Sequence, residues 1–235
     1  MREENLLLAH LPDAERERLA PYLHEVVLDY QQLLIEANQP ITDIYFPYDA
    51  VTSTIQEMSD GDSVETGLMG IEGFVGVQLW LRAPTTTTRT LVQVPGRAHH
   101  MRASDFIRHV RDVASPLNEF CARYAHAFLA MTSQTAACNR LHPVNERLCR
   151  WLKLVHNRLQ RDEFPLRQEF IAQMLGVHRP TVSTAANMLQ QAGLVKYSRG
   201  QLRVLDAEGL RNGSCECLEI MENEFAKIFQ PSTYR

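Results

Sequence analysis

The stretch that most constrains this chain runs from Arg167 to Leu205. Arg167-Gln168-Glu169-Phe170-Ile171-Ala172-Gln173-Met174-Leu175 has the apolar spacing of one short helix, and Pro180 to Gln191 has that of a second. Gly176-Val177-His178-Arg179 lies between them, with a glycine where a sharp turn needs one. Ala172 lets two helices approach closely, and Ile171, Leu175, Val177, Val182 and Ala185 make an apolar wedge that sets their angle. Pro180 suits a first helical turn, where its missing N–H would have no partner anyway. Ala192-Gly193 closes the second helix with a residue free to take the left-handed cap. Leu194 to Tyr197 and Gln201 to Leu205 then form a hairpin around Ser198-Arg199-Gly200.

Such an arrangement, a winged helix-turn-helix, turns one face of its second helix outward. Here that face offers Arg179, Thr181, Ser183, Thr184 and Asn187, hydrogen-bonding groups of a length suited to base edges and nearby phosphates. Arg167, Gln168, Lys196 and Arg199, with Arg203 behind them, are placed for contact with a nucleic-acid backbone. Charge supports this. The net charge of −4 is unevenly spread: residues 139–203 carry 11 basic and 4 acidic side chains, whereas residues 1–138 carry 10 and 18. A confined basic segment can release counterions from double-stranded DNA while the acidic remainder stays clear. The preceding helix, Val144 to Leu159, has Leu148, Trp151, Leu152 and Val155 on one face, and Arg147, Arg150, Lys153 and Arg158 read as distributed around the rest.

Upstream, a short helical lead (Leu6 to Leu11, Ala14 to Leu23) precedes a region from His24 to Met101 without helical periodicity. Tyr45 to Pro47, Val51 to Ile55, Val64 to Met69 and Thr90 to Val94 are β-prone, and turn residues recur about every ten positions, the spacing of a sandwich or jelly roll. Asp60-Gly61 reads as a hairpin turn. Helical pattern resumes at Ala103 and becomes long and amphipathic after Pro116. Leu117, Phe120, Tyr124, Ala127, Met131, Gln134, Cys138 and Leu141 alternate steps of three and four, a seam that asks for a second helix. A homodimer is the expectation; packing on the chain's own β-domain is the other way to cover such a face. The helix should stop at His142-Pro143. The expected fold is α+β: a jelly-roll sensor domain over residues 1–115, a dimerisation helix over 116–142, and a winged helix-turn-helix domain with a C-terminal tail over 143–235.

Other classes fit less well. The five cysteines, Cys121, Cys138, Cys149, Cys215 and Cys217, are odd in number and lack CxxC spacing, so free thiols are expected rather than a disulfide framework or a zinc ribbon. No apolar run approaches the length of a membrane span or a signal-peptide core, so a cytoplasmic protein without membrane association is expected. A cupin-like metal enzyme would need a His-x-His and Glu cluster, and His99-His100 lacks that spacing. An adaptor that binds protein instead of DNA is the remaining rival.

Two segments resemble the Crp/Fnr family of bacterial transcription regulators, and the order of parts is similar along nearly the whole chain. Leu175 to Ser183 followed by Leu189 to Val195 looks like that family's helix-turn-helix, and Gly73-Phe74-Val75-Gly76 resembles its phosphate-cassette start in the β-roll. The resemblance implies a cyclic-nucleotide-binding-like domain, a homodimer on a two-fold operator in double-stranded DNA, regulation of promoters with RNA polymerase as a partner, an effector of unknown identity, and no enzymatic activity. There are departures. Arg179 fits the first recognition position, but Pro180 stands where the best-known readers have Glu and Thr184 where they have a second Arg. Gly76, Arg89 and Thr90 are the effector-site candidates, yet Val77 replaces the ribose-binding Glu, so a cyclic nucleotide is not expected. No cysteine precedes Cys121, against an iron-sulfur sensor, and adjacent His99 and His100 on a strand face opposite ways, against haem. No cofactor or metal is evident at this level.

Overall fold

The computed structural model describes residues 4–230. Two short helices, α1 (Leu6–Ala9) and α2 (Asp13–Leu19), lead into β1 (His24–Leu28), β2 (Leu33–Ile35), β3 (Asp43–Pro47), β4 (Val51–Glu57) and β5 (Ser63–Met69). Helix α3 (Val77–Trp80), strands β6 (Arg89–Val94) and β7 (Gly96–Arg102), and α4 (Ala103–Phe106) with a π turn (Ile107–Arg111) complete the first half. The strands form two antiparallel sheets, β1-β7-β3 and β2-β6-β4-β5. Their facing sides make the expected roll, closed by an aromatic group in which Phe74 lies 5.7 Å from Phe46, 5.6 Å from Phe106 and 5.2 Å from Tyr124, centroid to centroid. Strands β1, β2 and β7 carry few of the alternating signals that marked the others, because the exposed Val27 and Leu33 and the half-buried histidines break the apolar-in, polar-out rhythm.

The long helix α5 (Pro116–Leu141) begins with Ser115 accepting from the Asn118 N–H at 3.3 Å and with Pro116 in its first turn. It ends where His142 takes extended φ/ψ ahead of Pro143. Its seam faces inward except at Leu141, which is 73% exposed. Leu117, Tyr124, Met131 and Cys138 are at most 2% exposed within the single chain, so they cannot form a dimer interface. The reason is that two surfaces of the same chain compete for that stripe: the roll, through Phe74 and β5, and the C-terminal helix α10 (Cys217–Ala226). Phe120 is half-buried against Phe229, 5.8 Å away. The opposite face of α5 is the one left to solvent, with His126, Ser133, Ala136 and Ala137 exposed and Leu129 65% exposed.

Helix α6 (Val144–Leu159) is enclosed on all sides: the roll, α8 (Arg179–Gln191), α9 (Ala207–Asn212) and α10 all pack on it. Hence Arg147, Arg150, Lys153 and Arg158, expected around its open side, are all buried. Arg158 reaches Glu72, its Nε lying 2.8 Å from Glu72 Oε1, and Trp151 Nε1 donates to Glu65 at 3.0 Å. The remaining parts are β8 (Glu163–Pro165), α7 (Gln168–Leu175), α8, β9 (Val195–Ser198) and β10 (Gln201–Val204). The wing is a three-stranded sheet, β8-β10-β9, one strand more than the expected hairpin. Among the described residues no helix is long and apolar enough to cross a membrane.

Candidate nucleic-acid interface

Helices α7 and α8 meet across Gly176, which takes φ +59° as the left-handed cap of α7 and donates its N–H to Gln173. Ile171, Leu175, Val182 and Ala185 are buried at the crossing, as the wedge requires. Gly193, at φ +73°, lets the chain leave α8 toward the wing. With the apolar side of α8 thus used, its other side projects from the protein: Arg179, Thr181, Thr184 and Asn187 are exposed. Arg179 reaches Glu169 at 2.9 Å, an exposed pair that a phosphate or base edge can displace at little cost. Ser183 is half-buried, its hydroxyl donating to Gln168 Oε1 at 2.9 Å, so these two residues hold each other at the α7/α8 junction.

Lys196, Arg199 and Arg203 are exposed on the wing, Arg199 at φ +50° in its turn. Arg167 is exposed but its guanidinium lies 5.7 Å over the Tyr30 ring of the roll. It therefore sits at the seam between the two halves as well as beside the reading face. The reader is docked on the roll at this seam: Gln173 Nε2 donates to Ser63 Oγ at 2.8 Å beside Val64 and Gly176, and Phe170 is 6.3 Å from Tyr30. These contacts use α7 and leave the length of α8 open, apart from its first turn near the β4–β5 loop.

The effector candidates lie at the start of α3 and on β6. Gly76 precedes α3 at φ +105° against Ile44, Arg89 is held by Glu36 and Glu57 at 3.2 Å each, and Thr90 is buried opposite Thr54. Both pairs are partly exposed, so they hold Arg89 only weakly. His99 is half-buried beside Tyr48, and burial lowers its pKa; His100 bonds Asp43 at 2.6 Å on the other face of β7. They share no ligand geometry.

Sequence reading missed what the buried carboxyl at Glu65 does. It accepts from Ser53 Oγ at 2.6 Å and from Trp151 at 3.0 Å, joining β4 and β5 to α6, and burial pushes it up to about 7. A lone Glu in a strand carries no signal of this.

A β-roll, a long helix and a winged helix-turn-helix follow one another in this order, the architecture shared by solved Crp/Fnr-type transcription regulators. Residues 146–212 match the model of the Crp-like helix-turn-helix domain. No curated protein matches the chain by sequence. Among solved structures the chain is similar to FixK2 from Bradyrhizobium japonicum (14% identity, 82% of this chain and 98% of that one, TM-score 0.68). It is also similar to a CRP-family transcriptional regulator from Thermus thermophilus (13%, 80% and 96%, 0.66). A third similar structure is the c-di-GMP responsive global regulator CLP from Xanthomonas campestris (16%, 82% and 99%, 0.63).

Proposed function

We propose that the chain is a non-enzymatic, cytoplasmic transcription regulator that binds a two-fold DNA operator as a homodimer. The observation that carries this is the exposed row Arg179, Thr181, Thr184 and Asn187 on α8, flanked by the cationic wing, with the roll's β4–β5 loop near its first turn only. Arg179 and Thr181 read base edges, with Thr184 and Asn187 behind them, while Lys196, Arg199 and Gln168 hold the phosphate backbone. Arg167 adds a phosphate contact from the roll side. Pro180 has no side-chain acceptor for a base amino group, which makes the operator different from one read by a Glu at that position.

Dimerisation uses the outer side of α5. Leu129 there is a large apolar side chain in water, and the small residues Ala136 and Ala137 permit a close second helix. A two-fold pair along α5 would present its α8 helices to major grooves about 34 Å apart. RNA polymerase is the partner through which such a regulator acts. Sequencing genomic fragments retained by the pure protein tests the reading. Enrichment of a palindromic site is expected, and absence of any retained fragment in dilute salt overturns it.

A further inference from the structure

Three of the five cysteines converge with one histidine. Cys138 and His142 stand one turn apart at the C-terminal end of α5, and Cys215 and Cys217 stand at the start of α10, more than 70 residues later. Cys138 Sγ is 3.5 Å from Cys215 Sγ, Cys217 Sγ is 3.4 Å from His142 Nδ1, and the four ligand atoms all lie within 4.8 Å of one another. Ligands at the corners of a tetrahedron around zinc, with bonds of about 2.0–2.3 Å, lie roughly 3.5–3.8 Å apart. The three sulfurs are buried and make a small cluster of their own, set apart from the main core.

The surroundings are those of a metal-thiolate centre. The other ring nitrogen of His142, Nε2, is 3.2 Å from Glu216 Oε1, the carboxylate-histidine arrangement that fixes a ligating imidazole. Gln134 Nε2 donates to Cys217 Sγ at 3.1 Å. Arg147 and Arg150 are both buried; Arg147 donates to Asn139 Oδ1 and the Leu175 carbonyl, the charge of Arg150 also acts on Glu65, and among the described residues neither has a carboxylate at ion-pair distance. The charge of Arg150 reaches Cys138, and that of Arg147 is felt by both Cys138 and Cys215. Two buried cations need a counter-charge. One divalent ion on three thiolates and a neutral imidazole carries a net charge of −1, whereas three neutral thiols and an imidazole carry none.

We propose that Cys138, His142, Cys215 and Cys217 bind one zinc-class divalent ion in a closed, four-ligand structural site that staples the end of α5 to the start of α10. The thiols give up their protons on binding, so loading is favoured by rising pH. The ligand atoms are too close together to serve separate irons of a cluster. The staple sits where α5 hands over to the reader, and it is independent of the DNA-binding reading.

The test uses the full chain, without an affinity tag, purified under reducing conditions. Elemental analysis should find about one zinc per chain. Cobalt(II) added to chelator-stripped protein should give the visible bands of a tetrahedral thiolate complex, saturating at one equivalent. Cys138→Ser, Cys215→Ser and Cys217→Ser should each lose the metal, His142→Ala should alter the cobalt spectrum, and Cys149→Ala should change neither. Should the cysteine variants fail to fold, the wild-type cobalt titration decides alone. Reduced wild type that takes up neither zinc nor cobalt overturns the proposal, as does full metal content in Cys138→Ser together with Cys215→Ser. A Cys138–Cys215 disulfide in freshly purified protein that stays metal-free after reduction overturns it equally.

Discussion

Arg179 illustrates how one side chain can matter for binding and hardly at all for folding. Its pair with Glu169 is exposed at both ends, so Arg179→Ala should change unfolding free energy by less than about 1 kcal/mol. The same substitution should weaken operator binding by about 1–3 kcal/mol and relax preference at one base position, read by titrating wild-type and mutated operators. Glu65 is the reverse case. Folding raises its carboxyl from an ordinary 4.5 to about 7, so the folded chain holds a proton that the unfolded chain releases. The stability gained from this is complete below about pH 4.5 and is lost as pH rises through 7. Glu65→Gln keeps both hydrogen-bonding ends without the charge. Denaturant unfolding should show it close to wild type at pH 5 and more stable at pH 8, by up to about 3 kcal/mol; equal pH dependence in the two proteins would show that Glu65 does not titrate there.

Helix α5 carries two stripes with different work. The inner one, Leu117, Tyr124, Met131 and Cys138, binds roll and tail into one body. Leu117→Ala should therefore cost about 2–5 kcal/mol of folding free energy. The outer stripe should respond oppositely: Leu129→Arg should leave the unfolding midpoint near wild type and convert the proposed dimer to a monomer by light scattering. A dimer that survives Leu129→Arg places the interface elsewhere. Periodicity identified α5 and both its ends, because Ser115-Pro116 and His142-Pro143 are local signals. It could not say which stripe faces a partner, since burial depends on what α10 and β5 bring to the helix from distant parts of the chain.

In the whole molecule the basic segment divides into charge that faces water and charge that does not. Arg147, Arg150, Lys153 and Arg158 serve the interior, whereas Lys196, Arg199 and Arg203 on the wing and Arg167 beside it are exposed where phosphate would lie, and Arg179 is exposed on α8. Arg199→Ala should lower the slope of log affinity against log salt by about one. Arg158→Ala should leave that slope alone and cost about 3–5 kcal/mol in folding, because it strands Glu72 in the interior. What the chain's own order of residues determined is the local architecture: the Gly176 turn, the capped α8, the β9–β10 hairpin of the wing and the proline-bounded α5, each set by propensity and spacing within a few residues. What only the tertiary structure decided are the associations between distant segments. These are the inward turn of the α5 seam, the burial of four cations on α6, the Glu65–Trp151 contact, and the meeting of Cys138 and His142 with Cys215 and Cys217. Each needs two surfaces that no local pattern relates, and close packing rather than periodicity selects which of them touch.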